Sequence, residues 1–596
     1  MDKNVLFISH KVKQCGVHEF GNNVAKVLEA STKYKFVYVE CDNLNDLHVA
    51  ILEYKPIAII YNYYPSTLPW IRKKIVHTFY KSLISDIQLP QIGIMHEVTQ
   101  KKADEADNLL FNYHIAPDPT LLLKNSIVFK TGRLIPFYNN KYSLPETVTI
   151  GSFGFATPNK GFEEIVKAVN NEFDKAVIRF NIPFATFGDN DGANAKSLIE
   201  NCKKLITKAG IELVVSHDFL EKEQVLDFLA KNTINVFLYQ DKEGRGLSST
   251  VDYALAVDRP IAVSDSIMFR HLHKIKPSLT YPESTLRQII KDGTSSVQHL
   301  KSEWSNENLV WEYERIIDAV LNAEAQKKLI ILPTPFKQFK NTIRGFLGLK
   351  NNSFTWLRNT DAATEDDISL RLGQSYEPLI IPQGVSLNRI LDNSARELYK
   401  PAIEKLTELV PLTMAKKIAE ANVQQAFVFD TVINFAKQYQ APKMLCVGSY
   451  EDTAAMGLKC LGFEVEDIDP VINYYLQEYF TKPTTVKASY DIIFSTSVIE
   501  HDPNDESFIK CIGELLAPNG VAVITCDYND QWKPGLPKPE VDARFYTQQD
   551  LKTRLLSIIP DCELVDEPQW ECPNPDFNYL GKYQYTFASF VIRKTK

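Results

Sequence analysis

A chain of 596 residues is too long for one hydrophobic core and calls for roughly three or four domains of ordinary size. Hydrophobic residues make up 44% and charged residues 23%, the balance of a folded soluble chain, and a formal charge of −8 argues against a nucleic-acid partner, which would be held by clustered Lys and Arg. The nine cysteines are odd in number and never spaced Cys-x-x-Cys, and Met1 runs into a strand without a signal-peptide layout, so neither zinc nor disulfides but a reducing, cytoplasmic setting is expected.

From the start, short apolar runs alternate with helical patterns: a strand at residues 4–9, a helix at 19–29, a strand at 34–40, a helix at 47–54 and a strand at 57–61. That rhythm marks βαβ units with parallel strands buried on both faces. Gln14-Cys15-Gly16-Val17-His18-Glu19 joins the first strand to its helix, and Gly16 lets the backbone approach a ligand at a helix N-terminus. Ile92-Gly93-Ile94-Met95-His96-Glu97 closes a later strand and puts His96 at its C-terminal end. His10 and His18 lie in or beside the first loop. A lone histidine in such a place is either a ligand contact or a structural residue.

After the polar stretch 138–145 the series restarts, with strands predicted at 149–153, 178–184, 212–216, 234–239 and 260–263 and helices at 162–170, 195–208, 223–230 and 249–257. Two such domains in series form a cleft between their strand C-termini. Gly151-Ser152-Phe153-Gly154 precedes Asn159-Lys160-Gly161 and a helix, which places Lys160 to neutralise a diphosphate. In Glu243-Gly244-Arg245-Gly246-Leu247-Ser248-Ser249-Thr250-Val251-Asp252, glycines lead into hydroxyl residues at a helix start, so that N–H groups and the side chains of Ser248, Ser249 and Thr250 face an anion. Glu243, just before them, is placed for sugar hydroxyls. The layout suits a nucleotide diphosphate sugar, whose leaving group needs its charge stabilised as the glycosidic bond breaks. Asp189-Asn190-Asp191 matches a metal-holding Asp-x-Asp pattern, but chance supplies such triplets often and no metal is expected.

Beyond a helix at 309–323, Phe336, Phe339, Ile343 and Phe346 repeat at helical spacing with Lys337, Lys340 and Arg344 between them. This basic helix over 336–347 is either a linker packed on a neighbouring domain or a docking element for a membrane surface or a partner. Residues 351–367 are polar, and 391–439 read as helical, with 400–409 and 426–436 amphipathic.

A last βαβ series opens near Lys443. Met444-Leu445-Cys446-Val447-Gly448-Ser449-Tyr450 is a buried strand ending at a glycine turn, and about twenty residues on Val465-Glu466-Asp467-Ile468-Asp469 ends a second strand in acid. The spacing lets Asp467 or Asp469 take ribose hydroxyls while the first turn, with Gly448, Ser449 and Tyr450, accommodates the amino-acid end of a nucleoside cofactor. A strand at Tyr490-Asp491-Ile492-Ile493-Phe494-Ser495 leads to Glu500-His501, and Leu515-Leu516-Ala517-Pro518-Asn519-Gly520 opens another apolar run. Ser495 and Glu500 fall on the expected cofactor edge. His501 and Asp527 each follow a strand, and are candidates for the base that a hydroxyl acceptor needs or else turn and loop residues. Arg544, Phe545, Tyr546 and Trp570 are placed to line an acceptor pocket.

On these residues the chain resembles two families. Over about residues 1–325 it is similar to GT-B glycosyltransferases of the retaining family 4 type, whose Glu-Gly-Phe-Gly-Leu stretch and Gly-Lys/Arg-Pro-Val-Ile-Ala-Ser tail correspond to residues 243–247 and to Arg259-Pro260-Ile261-Ala262-Val263-Ser264. The resemblance implies a nucleotide-sugar donor, His96 near the transferred sugar, and retention of configuration. Three positions depart from the pattern. Val251 stands where the family has a second Glu, with Asp252 beside it; Phe155 replaces an Arg, leaving Arg245 for the second positive charge; and Cys15-Gly16 replaces Gly-Gly. Over about residues 440–596 the chain resembles class I methyltransferases that use S-adenosyl-L-methionine.

Together the resemblances imply an α/β chain: a GT-B acceptor domain at 1–142, a donor domain at 143–325, a linker and helical cap at 326–440, and a Rossmann-like methyltransferase domain at 441–596. The implied function is sugar transfer to a glycan or lipid-linked oligosaccharide and O-methylation of the product, in the cytoplasm or at the membrane surface. Its rivals are an inactive glycan-binding module joined to an active methyltransferase, and a methyltransferase acting on a protein or small metabolite.

Overall fold

The computed structural model describes residues 3–12, 15–76, 79–184, 189, 191–241, 244–331, 366 and 368–595. Glu243 and the basic helix expected at 336–347 lie outside the described residues. The chain divides into two compact units, Met1–Thr334 and Pro335–Lys596. Among the described residues no helix is long and apolar enough to cross a membrane.

The first unit holds two parallel sheets. Strands β1 (Asn4–Ser9), β2 (Lys35–Glu40), β3 (Ala58–Tyr61), β6 (Gln91–Ile94), β7 (Tyr113–Ala116) and β8 (Val128–Lys130) pair in the order β2-β1-β3-β6-β7-β8, while β4 (Arg72–Val76) and β5 (Phe79–Ser82) form a separate antiparallel ribbon. Val5, Leu6, Phe7 and Ile8 are all fully buried, which explains why β1 is apolar at consecutive positions: helices cover both faces of the sheet. The second sheet has β9 (Thr149–Phe153), β10 (Lys175–Asn181), β11 (Gly210–Ser216), β12 (Ile234–Phe237) and β13 (Ile261–Val263) in the order β11-β10-β9-β12-β13. β10 begins and ends three residues before the expected 178–184 strand, because Lys175 and Ala176 already pair with Gly210 and Ile211.

The helix Asn306–Ile331 follows the second sheet in sequence yet packs on the first, where Tyr313, Ile316, Ile317 and Val320 are buried against Val5, Phe7 and Phe36. Polar ties reinforce the seam, with Tyr34 donating to Asp318 at 2.7 Å and Ser31 to Glu314 at 2.6 Å.

The second unit is built on β14 (Met444–Val447), β15 (Val465–Ile468), β16 (Tyr490–Thr496), β17 (Leu516–Tyr528), β18 (Cys562–Leu564), β19 (Phe577–Tyr579) and β20 (Tyr583–Lys594). The order is β15-β14-β16-β17-β20-β18, with β20 antiparallel to both its neighbours and β19 paired beside it. The helix Asn422–Ala436 departs from the amphipathic expectation for 426–436. It is buried along nearly its whole surface, because helices Lys400–Leu409 and Thr453–Cys460 cover one side and β16 and β17 the other. Its one mid-helix carboxylate, Asp430, is satisfied by the Tyr376 hydroxyl at 2.7 Å and the Leu379 N–H at 2.8 Å.

Phe429 sits in that helix, fully buried beside Gly457 and Tyr376. Phe429→Ala is expected to destabilise the C-terminal unit by about 3–5 kcal/mol through lost transfer energy and a residual cavity, read as a lower urea midpoint.

Candidate functional site

In the first unit the C-terminal ends of both sheets carry the polar residues. Asn62, just past β3, joins three strand ends: its Nδ2 donates to Ser9 Oγ at 3.0 Å and to the Val17 carbonyl at 2.7 Å, and its Oδ1 takes His96 Nε2 at 2.7 Å. Sequence reading missed Asn62, since its partners come from the end of β1, the first turn of the helix Gly16–Leu28 and the loop after β6. The helix Gly16–Leu28 reaches this hub closely, because a Cβ on Gly21 would lie 2.2 Å from Asn62 Nδ2, whereas Gly16 has open space around it.

Burial, then the neighbouring His10 and Arg133, hold the His96 imidazole down to a pKa of about 4, so it is neutral at pH 7. His18 Nε2 lies 2.8 Å from Glu40, and the His10 ring, lowered by burial and by His18, meets the His18 ring edge-on at 5.6 Å.

The loop after β12 lies on the backbone after β6. A Cβ on Gly246 would come within 2.8 Å of the His96 carbonyl, so only glycine fits there. Lys160 Nζ donates to the Tyr239 hydroxyl at 3.0 Å, Tyr239 to Thr250 Oγ1 at 3.2 Å, and Thr250 Oγ1 is 2.9 Å from Ser248 Oγ. Lys160, Thr250 and Ser248 thus form one hydrogen-bonded row, with the exposed Ser249 and half-buried Leu247 on the same loop. Gly154, at φ +144, turns the chain after β9 with open space beside it.

Two expected donor-site residues are engaged elsewhere. Asp252 is not free for a ribose: Arg133 Nη2 reaches its Oδ2 at 2.6 Å and Arg133 Nε its Oδ1 at 3.2 Å, both side chains being nearly fully buried. The residue faces inward because it sits on the buried side of the short helix Thr250–Ala256. Arg245 pairs with Glu97 and does not join the Lys160 row. Asp189 caps the helix Ala193–Leu205 by accepting from the N–H groups of Asn194 at 2.8 Å and Ala195 at 3.1 Å. Among the described residues no group of three or more His, Cys, Asp or Glu could hold a metal ion.

In the second unit a cavity of about 870 Å³ opens where β14, β15 and β16 end. Gly448, at φ +84, lines it, and a Cβ there would lie 2.3 Å from Val498, so the turn tolerates no side chain. Asp469 stands past the end of β15, accepting the N–H of Val471 at 2.7 Å and of Tyr450 at 3.3 Å. Burial raises its carboxyl above the usual range against those bonds. Gly448, Tyr450, Asp469 and His501 line the same space.

The other expected residues do not. Asp467 lies within β15 and pairs with Lys459 of the helix Thr453–Cys460. Ser495 is fully buried and donates to the Val447 carbonyl of the adjacent strand at 2.9 Å. Glu500 is fully buried, held by Ser497 Oγ at 2.6 Å. Ser449 is buried and does not line the cavity. Asp527, expected as a base, does not line it either; burial, with the charges of Glu500 and Asp542, raises its carboxyl well above the usual range.

His501 Nδ1 lies 3.0 Å from the buried Asp542 carboxylate. Burial lowers the imidazole, but the Asp542 hydrogen bond and the charges of Glu500 and Asp542 outweigh it and bring the pKa up to about 9. Sequence reading also missed Asp452, Thr496, Gln424 and Gln425, which line the cavity. The available signal was two adjacent glutamines opening an otherwise apolar helical run.

No protein-family model matches the chain, and no curated protein matches it. Solved structures to which it is similar include HepE of Anabaena in complex with UDP and glucose, at 11% identity over 53% of this chain and 100% of that one, with a TM-score of 0.38. Sucrose-phosphate synthase of Thermosynechococcus elongatus is 12% identical over 54% of this chain and 100% of its own, with a TM-score of 0.36. An arsenic(III) S-adenosylmethionine methyltransferase of Chlamydomonas reinhardtii is 18% identical over 26% of this chain and 64% of its own, with a TM-score of 0.21. The neighbours thus comprise GT-B glycosyltransferases over the N-terminal half and methyltransferases over a smaller region.

The Arg133–Asp252 pair gives a direct test of how the first unit is held. Asp252→Ala, which strands a buried guanidinium, is expected to cost about 3–5 kcal/mol in chemical denaturation, and Arg133→Met in the same chain to restore most of it.

Proposed function

We propose that the C-terminal unit transfers a methyl group from S-adenosyl-L-methionine and that the N-terminal unit transfers a sugar from a nucleotide diphosphate sugar, the two acting on one glycan or lipid-linked acceptor. The observation that carries the reading is the cavity at the ends of β14, β15 and β16, with a glycine turn on one strand end and a carboxylate on the next. It lies where the strand order reverses, the place at which parallel sheets bind nucleoside ligands.

The residues present fit that cofactor. Its space at Gly448 is kept clear of any Cβ, and buried polar atoms on Asp452 and Thr496 lack hydrogen-bond partners. Asp469 would hold the ribose hydroxyls, while Gly448 and Tyr450 would border the chain leading to the sulfur. When bound, the cofactor supplies an electrophilic methyl group on a sulfonium.

The protein's task is then to orient an acceptor hydroxyl and remove its proton. His501 is the residue for that step: Asp542 fixes Nδ1, which leaves Nε2 to take the proton.

For the N-terminal unit, support comes from the Lys160–Tyr239–Thr250–Ser248 row, which offers a cation and hydroxyls to a diphosphate, and from Gly246 resting on the His96 backbone. A second reading, a glycan-binding module without transfer, is favoured by the engagement of Arg245 with Glu97 and of Asp252 with Arg133. Release of UDP, GDP or dTDP from a donor set, with and without Lys160→Ala, separates the two. Transfer requires release in the parent chain and its loss in the variant. A module releases none.

Transfer of labelled methyl groups to glycan tests the C-terminal half. Because His501 is protonated below about 9, the rate with a hydroxyl acceptor is expected to climb with pH and level off above that value. His501→Gln should be slow and lack the rise. A flat profile from pH 6 to 10 in the parent chain counts against His501 as the base.

A further inference from the structure

The cavity of the C-terminal unit has two chemically different ends. At one, Asp469 and its loop stand past β15. The other lies where the helix Asn422–Ala436 begins, and there single polar atoms are left without hydrogen-bond partners among the described residues.

Asp452 is 2% exposed. Its Oδ1 accepts the Ala455 N–H at 2.7 Å and so starts the helix Thr453–Cys460, while Oδ2 has no hydrogen-bond partner. Burial raises the Asp452 carboxyl above its usual range, against the smaller opposing effects of the Ala455 N–H, Lys417, Thr496 and Gln425, and among the described residues no donor reaches Oδ2 within bonding distance. Gln424, also 2% exposed and lining the cavity, has an unpartnered Oε1. Leaving a buried carboxylate oxygen unmet is costly, and a cationic donor inside the cavity removes that cost.

The same end also offers a positive charge. Lys417 lines the cavity and has no carboxylate partner among the described residues, whereas Lys416 pairs with Glu451 at 2.8 Å. The helix Asn422–Ala436 starts beside it without a side-chain cap; the Asn422 N–H donates to the Ala419 carbonyl, and the next first-turn N–H groups meet no side-chain acceptor among the described residues. An acid oxygen and a cation thus wait close together, near enough for Lys417 to influence the Asp452 carboxyl.

One ligand group carries both complementary charges: an α-amino acid. Resting on the methyl-transfer reading, we propose that Asp452 holds the α-ammonium, and Lys417 with the start of the helix Asn422–Ala436 the α-carboxylate, of the methyl donor. The helical cap thereby selects the complete donor over nucleosides that lack its amino-acid end.

Calorimetric titration of the full chain with S-adenosylhomocysteine and with 5′-methylthioadenosine, which has no amino-acid end, tests this without turnover. The parent chain is expected to prefer S-adenosylhomocysteine. Asp452→Asn keeps a helix-capping side chain, and Lys417→Gln alters a half-buried residue. Each should weaken S-adenosylhomocysteine roughly 10- to 100-fold, the loss of a hydrogen bond to a charged group, and leave 5′-methylthioadenosine within about twofold. Equal affinities in the parent chain, or an undiminished preference in both variants, overturn the inference and leave the cofactor reading standing. Failure of the parent chain to bind either ligand overturns both.

Discussion

In a parallel sheet whose strand order reverses, the loops leaving two neighbouring strands run to opposite faces, so neither closes the space between the strand ends. All three sheets have such a point: between β1 and β3, between β9 and β12, and between β14 and β16. The candidate chemistry gathers there. Asn62 bridges the β1, β3 and β6 ends to His96, Lys160 and Tyr239 face each other past β9 and β12, and Gly448 and His501 flank the gap between β14 and β16. Local sequence needs only to supply turns that stay open. Gly448 does so by excluding a Cβ, and Gly154 by a φ of +144 that favours glycine.

Ion pairs and unmet buried polar atoms occur in both units. In the first, Arg133 with Asp252, Arg245 with Glu97 and Arg270 with Asp118 each join a residue before 150 to one after 240, and so tie the two sheets together. Such pairs set geometry more than stability, since desolvating both partners offsets most of their attraction. In the second unit, the cavity retains buried polar atoms that the chain itself does not satisfy. The histidines of the two candidate sites differ in charge. His96, enclosed and near other cationic groups, is neutral, whereas His501, backed by Asp542 and Glu500, is cationic at neutral pH.

Much of the scaffold was legible because it is local. The fully buried Val5-Leu6-Phe7-Ile8 run declares a two-sided strand, and the spacing from Gly448 to Asp469 declares a strand-turn-helix-strand unit ending in acid. The side-chain partners were not. Asp252 meets an arginine 119 positions away, and nothing in the period of its helix identifies Arg133. Asp467 and Asp469 look equivalent in sequence, but the first is inside the strand and faces Lys459 while the second lies beyond it. Ser495, Glu500 and Asp527 follow apolar runs as cofactor contacts do, yet each is turned into the interior. Residues 426–436 read as amphipathic, with Asp430 set among apolar residues, yet they belong to the buried helix Asn422–Ala436. Covered on both sides, it uses the glutamines to line the cavity and the aspartate to anchor a loop.

A crystal structure of the full chain with S-adenosylhomocysteine is the most direct measurement. Density for the ribose at the Asp469 carboxylate, with the thioether passing over Gly448 toward His501, is the expected result. A ligand seated outside the space bounded by β14, β15 and β16, with the Gly448 turn and Asp469 untouched, would contradict a methyl-donor site there.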